Sequence, residues 1–247
     1  MNRFFLQPEY FSEEAVTFPP EIAHQILNVL RLGDGDLVEV LDNTGRAFEV
    51  RIMLDTAMKR VRGEIIQSYL VQTEPDVEVS LFFGLTSRDK VEWILQKGTE
   101  IGVAAFHPFI SSRTLVQALR MTDKKTLRWN RIIREAAEQS RRGRLPLLHA
   151  AKPFDVCLID EGHEHVPSLI AWEDDDSERV PLAQALKGFG GSKIRLFTGP
   201  EGGFSGDEIN LAREAGCQIV SLGPRTLRME TAAILLPAVV LFELGAL

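Results

Sequence analysis

Strands and helices alternate along the chain from Val77 onwards. Strand-like runs are predicted at "VEVSLFFGL", "AAFHPFI", "LPLLH", "SLIAW", "KIRLFT" and "CQIVSL". Helical patterns separate most of these runs, including "KVEWILQKGTEI", "KKTLRWNRIIREAAEQS" and "PLAQALKGF". Such strand–helix–strand units have right-handed crossovers and build a mostly parallel sheet that is covered on both faces. The alternation therefore predicts an α/β domain for residues 73–247.

Residues 1–72 have a different pattern, which predicts a small β-rich domain. The segments "LVEVLD" and "RAFEVRI" alternate apolar and polar residues around the turn "NTG", a pattern typical of a β-hairpin. The segment "KRVRGEIIQSYL" supplies another strand, and "PEIAHQILNVLRL" predicts a short helix that ends at Gly33. A linker, "VQTEPD", with a turn at Pro75, follows this domain.

The composition is that of a globular protein, with 247 residues of which 45% are hydrophobic and 26% charged. The first residues, "MNRFFLQPEYFSEE", lack the basic patch and apolar run of a secretory signal. The longest apolar stretch, Ala232 to Phe242, is shorter than the ~20 residues that span a bilayer, and predicts a buried helix kinked at Pro237. Cys157 and Cys217 are predicted to be buried free thiols. We expect a soluble, cytoplasmic protein.

The charge is distributed unevenly along the chain. The net charge is −7, yet the segment from Arg120 to Arg144 holds nine basic residues against three acidic ones. Charge separated in this way predicts one face that binds a polyanion on an otherwise acidic protein. A solvated basic helix is the simpler alternative.

A glycine-rich loop, "FTGPEGGFS", follows the predicted strand "KIRLFT". In open α/β sheets, ligands bind beyond the carboxyl ends of the strands, and glycines let the backbone approach them closely. The next residues, "SGDE", predict a capping box that starts a helix ending at Gly216. The loop has Glu201 and no phosphate-binding lysine, so it suits a neutral or cationic ligand. A tight turn with an exposed acidic side chain is the alternative.

A second loop, within "CQIVSLGPRTLRMETA", repeats this arrangement. Gly223-Pro224 breaks the strand, and a helix is predicted to start near Thr231, a possible N-cap. Two such adjacent units place both loops at one sheet edge, where Leu222 and Leu227 can form the walls of a slot for a nucleoside. Arg228 and Glu230 lie beside the slot, unless they form a weak surface ion pair.

These motifs resemble those of a known family. The segments "FTGPEGGFSGDE" and "SLGPRTLRMETAA" resemble the paired C-terminal motifs of the bacterial small-subunit ribosomal RNA methyltransferase E family. "KVEWILQKGTEIGV" resembles the end of a family helix, with Ile101 in place of the usual leucine, and "RWNRIIREAAEQSRRGRLP" resembles a further family segment. "HQILNVLRLGDGD" resembles the RNA-binding N-terminal domain. The resemblance covers nearly the whole chain.

The resemblance implies a function and a fold. Members methylate N3 of a uridine in 16S rRNA with S-adenosylmethionine, and belong to the SPOUT class. It implies a PUA-like β-barrel in residues 1–72 and, in residues 73–247, a mostly parallel sheet with a C-terminal trefoil knot. It also implies a homodimer, with the 30S subunit as partner. The cofactor has a sulfonium and an ammonium group and no phosphate, which fits a glycine loop that contains a glutamate.

Site residues are also implied by the resemblance. The implied cofactor-binding residues are Thr198, Gly199, Pro200, Glu201, Gly202, Leu222, Gly223, Leu227 and Thr231. Glu173, at the end of "SLIAW", is a further candidate, although it also reads as one acid of the solvated loop Glu173–Glu178. Arg228 is expected to stabilise the uracil anion or to hold a phosphate. Glu230 is the weaker candidate for proton acceptor, and water or hydroxide remains an alternative.

The basic segment is expected to bind the RNA, because arginine matches phosphate geometry. Leu127, Ile132, Ile133 and Ala136 are predicted to form the inner stripe of its helix, and Trp129 to pack beneath it or to stack on a base. The target uridine has to be unpaired, since N3 is occupied in a base pair. The expected RNA-binding residues are Arg128, Arg131, Arg134, Arg141, Arg142, Arg144 and Arg31, with Arg3 and Arg46 as possible additions.

Three functions remain open at this point. The protein is an RNA methyltransferase that acts on this uridine or on another RNA site, a non-catalytic ribosome-binding protein, or a nucleotide-binding phosphotransferase. The missing phosphate-binding lysine disfavours the third. No metal site is expected, because "HEH" (His163 to His165) has no third His or Cys nearby.

Overall fold

The computed structural model describes residues 1–55, 60–114, 122–159, 166–173 and 179–247. The chain divides into two compact units, one of residues 1–74 and 137–145 and the other of residues 75–136 and 146–247. The prediction from the sequence is two continuous domains, residues 1–72 and 73–247. Residues 137–145 instead group with the first unit, where Ala137 packs with the buried side chains of Phe5, Leu41 and Ala47.

The first unit is built around a mixed sheet. Its described strands and α-helix are β1 (Asn2–Phe5), β2 (Ala15–Thr17), α1 (Pro20–His24), β3 (Leu37–Leu41), β4 (Arg46–Asp55) and β5 (Arg60–Leu70). A 3-10 helix (Pro8–Tyr10) precedes β2, and a π-helix (Gln25–Val29) continues α1 directly. The strand order is β1-β3-β4-β5-β2, and the β1–β3 pair is parallel whereas the other pairs are antiparallel. The predicted β3–β4 hairpin is confirmed. Its turn contains Asn43 and Gly45 at positive φ (66° and 97°), a conformation that these two residue types tolerate best.

The second unit alternates strands and helices. Its described elements are β6 (Glu78–Gly84), α2 (Arg88–Ile101), β7 (Ala105–Ile110), α3 (Asp123–Gln139, whose last residues belong to the first unit), β8 (Leu147–Leu148), β9 (Lys152–Pro153), α4 (Phe154–Leu158), β10 (Ser168–Ala171), β11 (Val180–Pro181), α5 (Leu182–Ala185), β12 (Lys193–Thr198), α6 (Gly206–Glu214), β13 (Gln218–Ser221) and α7 (Met229–Glu243).

Every described strand pair of this unit is parallel, in the order β11-β13-β10-β12-β6-β7-β8, with β9 also paired to β7. The predicted mostly parallel α/β sheet is therefore confirmed. Both faces are buried: Leu81 and Phe83 of β6 join one apolar cluster, and Phe82 between them joins another with Phe197. This alternation covers the sheet with apolar side chains on both faces.

Two helices differ from the sequence prediction. In α3, Leu127 is 71% exposed, whereas Trp129, Ile133 and Ala136 are buried. Residues 129, 133 and 136 share a helix face through their spacing of four and three, whereas Leu127 lies on another face. The prediction that Leu127 faces inward is therefore wrong, and Trp129 packs in the core rather than against a base. The helix α5 is only four residues long, since the chain turns at Gly188 with a φ of 75°.

The helix α7 runs for 15 residues through the buried Pro237. None of the helices in the described parts of the chain is long and apolar enough to span a membrane. Cys157 and Cys217 are buried free thiols, as predicted.

The sheet order determines where the loops meet. Strand β10 lies between β13 and β12, and all three are parallel. Their carboxyl ends therefore lie at the same edge of the sheet, and so do the loops that follow them.

Candidate active site

Three loops enclose a crevice at this edge of the sheet. One follows β10 and contains Trp172 and Glu173, one follows β12 from Gly199 to Ser205, and one follows β13 from Leu222 to Arg228. The sequence analysis treated the β12 and β13 units as neighbours. Because β10 lies between them, its loop supplies a third wall.

The crevice consists of two adjoining cavities. The larger one has a volume of about 350 Å³ and the smaller one about 70 Å³. The larger volume falls in the range of small-molecule sites, roughly 300–1,000 Å³. Both cavities are lined by Ala171, Glu173, Thr226, Leu227 and Ala232. Glu173 therefore belongs to the wall that the two cavities share. From the sequence, it was either a ligand contact or part of a solvated loop.

Most of the residues expected to bind the cofactor line this crevice. Those in the larger cavity are Thr198, Gly199, Pro200, Glu201 and Leu227, together with Arg228. Those in the smaller cavity are Leu222, Gly223 and Leu227.

Gly202 and Thr231 line neither of these cavities. The carbonyl of Gly202 instead accepts a hydrogen bond from Arg113 Nη1 at 2.9 Å. Thr231 is exposed on the first turn of α7. The prediction that Thr231 is the N-cap of α7 is wrong. The helix already begins at Met229, and its N-cap is Arg228, which has extended backbone angles (φ −64°, ψ 150°).

Glycines shape the walls of the crevice. Gly203 has a φ of 68°, and a Cβ atom there would collide with the Glu173 carboxylate. That carboxylate therefore lies directly against the backbone of the loop after β12. Gly223 has a φ of 111°, and a Cβ atom there would meet no heavy atom within 4 Å. The backbone at Gly223 is thus open to a ligand in the smaller cavity.

An ion cluster connects α2 with the loop after β12 and with the first turn of α7. Lys90 Nζ lies 3.4 Å from Glu201 Oε1 and 3.3 Å from Glu230 Oε2. Glu201 Oε1 also accepts a hydrogen bond from Thr86 Oγ1. This hydrogen bond, together with the Lys90 charge, lowers the pKa of Glu201 below its ordinary value despite partial burial. Lys90 and Thr86 were not predicted to belong to the site, and the alternative that Glu230 forms an ion pair with Arg228 is replaced by its contact with Lys90.

Two arginines hold the loops through hydrogen bonds to backbone carbonyl groups. Neither was predicted to belong to the site. Arg113 Nη1 donates to the carbonyls of Gly202 and Phe204, at 2.9 and 3.2 Å. Arg179 Nη1 donates to the carbonyls of Trp172 and Glu173, at 3.2 and 2.9 Å. These contacts fix two walls of the crevice.

Comparisons with known proteins identify the family. A family model described as an RNA methyltransferase domain matches residues 73–241. The ribosomal RNA small subunit methyltransferase E of Bacillus subtilis is 33% identical over 242 residues, which cover 95% of this chain and 93% of that protein. The chain belongs to the ribosomal RNA small subunit methyltransferase E family.

Two further relatives extend the match over the whole chain. The methyltransferase E of a Synechocystis strain is 34% identical, over 99% of this chain and 77% of that protein. The crystal structure of the methyltransferase E from Neisseria gonorrhoeae bound to S-adenosyl methionine is 30% identical. It superposes with a TM-score of 0.84 and covers 98% of this chain and 97% of its own.

The basic segment of this methyltransferase E family member is partly structural. Arg142 is buried, and its Nη2 lies 2.7 Å from Glu74 Oε2. Glu74 Oε1 also accepts from the backbone N–H of Gly143, at 2.8 Å. Burial favours a higher pKa for Glu74, but these bonds outweigh it and lower the pKa. The expectation that Arg142 contacts RNA is therefore wrong, because its guanidinium is already bound inside the first unit.

The remaining arginines differ in their surroundings. Arg128 forms a two-bond ion pair with Glu92, at 2.5 and 2.8 Å, and Arg131 Nε lies 2.7 Å from Glu135 Oε1. The Arg144 guanidinium donates to the Thr44 carbonyl, and Arg134 is half-buried on α3. Arg31 and Arg141 are exposed and have positive φ angles (57° and 62°).

Two further expectations concern this part of the molecule. Arg3, a possible RNA contact, is instead buried in an ion pair with Glu39, while Arg46 is exposed. Arg120 and His163 to His165 lie outside the described residues. Within the described ranges, no group of three or more His, Cys, Asp or Glu side chains is arranged to hold a metal ion.

Proposed function

We propose that this protein transfers a methyl group from S-adenosylmethionine to N3 of a uridine in 16S ribosomal RNA, with the 30S subunit as its substrate. One observation carries the proposal: the crevice between the loops after β10, β12 and β13 gathers most of the residues that the family resemblance implies for the cofactor. The similarity to the Neisseria gonorrhoeae protein, which binds S-adenosyl methionine, supports the choice of methyl donor.

The chemistry of the crevice fits this cofactor. Glu173 and Glu201 line the larger cavity, and Lys90, which also lines it, is held between two carboxylates. A polyphosphate would meet these carboxylates, whereas a sulfonium and an ammonium group suit them. The open backbone at Gly223 leaves room for a flat ring beside Leu222 and Leu227. When bound, S-adenosylmethionine supplies an electrophilic methyl group on sulfur.

The protein's own contribution is to hold the two reactants in line, which can supply most of the rate acceleration. Arg228 is exposed at the N-cap of α7 and lines the larger cavity, where its guanidinium can stabilise the anion formed when uracil loses the N3 proton. It can alternatively hold the neighbouring phosphate. Glu230 is a weaker proton acceptor, because it would first have to give up its contact with Lys90. Water or hydroxide is the other acceptor.

The proposal extends to the fold and the assembly. After β13, at one side of the sheet, the chain crosses over so that α7 contacts α2, β12 and β6. This crossing supports a C-terminal trefoil knot, the SPOUT arrangement. The mixed sheet of the first unit supports a PUA-like barrel that contributes to RNA binding. We also propose that the protein acts in the cytoplasm as a homodimer.

The test is to incubate the protein with labelled S-adenosylmethionine and 30S subunits that lack the modification, and to identify the product by nucleoside mass spectrometry. A label on uridine N3 is expected, and the same reaction with naked 16S rRNA establishes whether the assembled subunit is needed. A label on ribose or on another base would contradict the assigned target. Binding to 30S subunits without methyl transfer would indicate a non-catalytic protein.

A further inference from the structure

We propose that Lys90 is a positioning residue for the methyl transfer, an inference that rests on the function proposed above. Its ammonium group bridges Glu201 and Glu230 and so holds the start of α7 against the loop after β12. Arg228 precedes Glu230 by two residues and caps the same helix. The position of Arg228 in the cavity therefore depends on the contact between Lys90 and Glu230.

The three charged groups come from distant parts of the chain. Lys90 lies on the first turn of α2, Glu201 on the turn after β12, and Glu230 on the first turn of α7. The side chains of Lys90 and Glu230 are 29% and 19% exposed, so water screens their attraction less than at an open surface. A lysine with three donors is suited to meet two carboxylates from different elements at once.

Removing the ammonium group would take away the cation that lies 3.4 Å from the Glu201 carboxylate and 3.3 Å from the Glu230 carboxylate. Like charges at close range repel, and the pair would relieve this repulsion by moving apart or by taking up a proton. Other charged groups line the two cavities or bind the loops that form them. In the described part of the chain these are Glu173 and Arg228 in the larger cavity, Arg225 in the smaller one, and Arg113 and Arg179 on the loop carbonyls.

The main test measures kcat and KM of Lys90→Met with unmodified 30S subunits. Because a displacement of about 1 Å can cost roughly 100-fold in rate, we expect kcat to fall by about 30- to 100-fold, with a smaller change in KM for the subunit. Lys90→Arg keeps the charge and is expected to recover most of the loss. Lys193→Met is the matched control, because Lys193 pairs with Glu78 at the opposite end of β12. Wild-type kcat in Lys90→Met would overturn the proposal.

Two further readouts separate positioning from a general loss of structure. The ratio of Lys90→Met to wild-type activity is expected to rise as the pH is lowered, because acid reduces the negative charge that Lys90 no longer balances. Adding Glu201→Gln to Lys90→Met is expected to cost much less than Glu201→Gln costs in the wild type, since Glu201 has already lost its Lys90 partner and the amide removes the repulsion from Glu230. A pH-independent ratio together with simple additivity would contradict the positioning role.

The test also distinguishes this inference from the proposed function. If the wild type methylates no uridine N3, the proposed function fails, and thermal unfolding then decides the role of Lys90. In that measurement, the loss of stability in Lys90→Met is expected to be largest at neutral pH and to shrink on acidification, whereas Lys193→Met shows no such trend. A loss of stability in Lys90→Met that does not depend on pH would contradict the proposed contact of Lys90 with the two glutamates.

Discussion

At the scale of single residues, Arg228 is the side chain that most directly connects the crevice to the chemistry. It is exposed at the N-cap of α7 and lines the larger cavity but not the smaller one. Its charge therefore borders the larger cavity, which is where we propose that the substrate base enters. This placement favours a role in the reaction over a role in binding the cofactor.

Arg228→Ala is accordingly expected to spare the affinity for S-adenosylmethionine and to lower kcat by roughly 100-fold, the cost of losing one stabilising donor. Calorimetry gives the affinity, and single-turnover methylation of 30S subunits gives the rate. Arg228→Lys, which retains the charge, is expected to lose less. Equal losses of affinity and turnover in Arg228→Ala would place the guanidinium in the cofactor site instead.

A substitution at Gly223 tests whether the cofactor binds in the smaller cavity. Gly223→Val would fill the open space beside the backbone and would force a β-branched residue to a φ of 111°, so we expect cofactor binding to be lost while the protein stays folded. Gly216→Val is the control, because Gly216 also has a positive φ (80°) and open surroundings but follows α6, outside the crevice. Calorimetry should show binding for the control only. Binding by both variants would exclude Gly223 from the site.

At the scale of elements, the start of α6 is fixed by a capping box that the sequence predicted correctly. Glu208 accepts from the backbone N–H groups of Ser205 and Ser112, both at 2.9 Å. Burial alone would raise the pKa of Glu208, but these hydrogen bonds lower it. A lowered pKa means that the carboxylate stabilises the fold at neutral pH, and that this contribution is lost as the pH falls through the ordinary range of a glutamate.

We therefore expect Glu208→Gln to lower the free energy of unfolding by about 1 kcal/mol at pH 7, and the difference from the wild type to shrink below the ordinary glutamate pKa and to vanish below the lowered pKa of Glu208. Asp207→Asn, in the same first turn, is expected to change it by only about 0.3 kcal/mol. Chemical denaturation across this pH range is the measurement. A difference between Glu208→Gln and the wild type that persists at low pH would contradict the assignment.

The basic segment is expected to contain two kinds of arginine. Arg142→Ala leaves the Glu74 carboxylate without its buried partner and should destabilise the protein by about 3 kcal/mol. Arg131→Ala should leave stability nearly unchanged, weaken RNA binding, and reduce the slope of log affinity against log salt by about 1. Thermal unfolding and binding titrations at several salt concentrations test both. Full stability in Arg142→Ala would contradict the structural assignment.

Local patterns predicted most of the elements, because strand alternation, helix spacing and the capping box are read within a few residues. The strands β1 and β2 have three or four residues and carry no such signal, so they were missed. Arg142 was misassigned because its partner, Glu74, is distant in sequence. The contacts of Lys90 were not predicted for the same reason, since they join α2 to the loop after β12 and to α7, which are both more than a hundred residues later in the sequence.

At the scale of the whole molecule, the sheet order explains why the crevice forms. Parallel strands β13, β10 and β12 end at one edge, and the three loops that follow come together there although they are separate in sequence. Arg113, Arg179 and Lys90 then fix these loops through carbonyl and carboxylate groups. The fold thus provides a crevice whose loops are held by polar contacts within the protein.

The most direct test is a crystal structure of the protein soaked with S-adenosylmethionine or with S-adenosylhomocysteine. We expect the ligand to lie in the crevice, with its adenosine beside Leu222, Gly223 and Leu227 and its sulfur facing the larger cavity. Density for the ligand elsewhere on the protein, with these loops empty, would contradict the account.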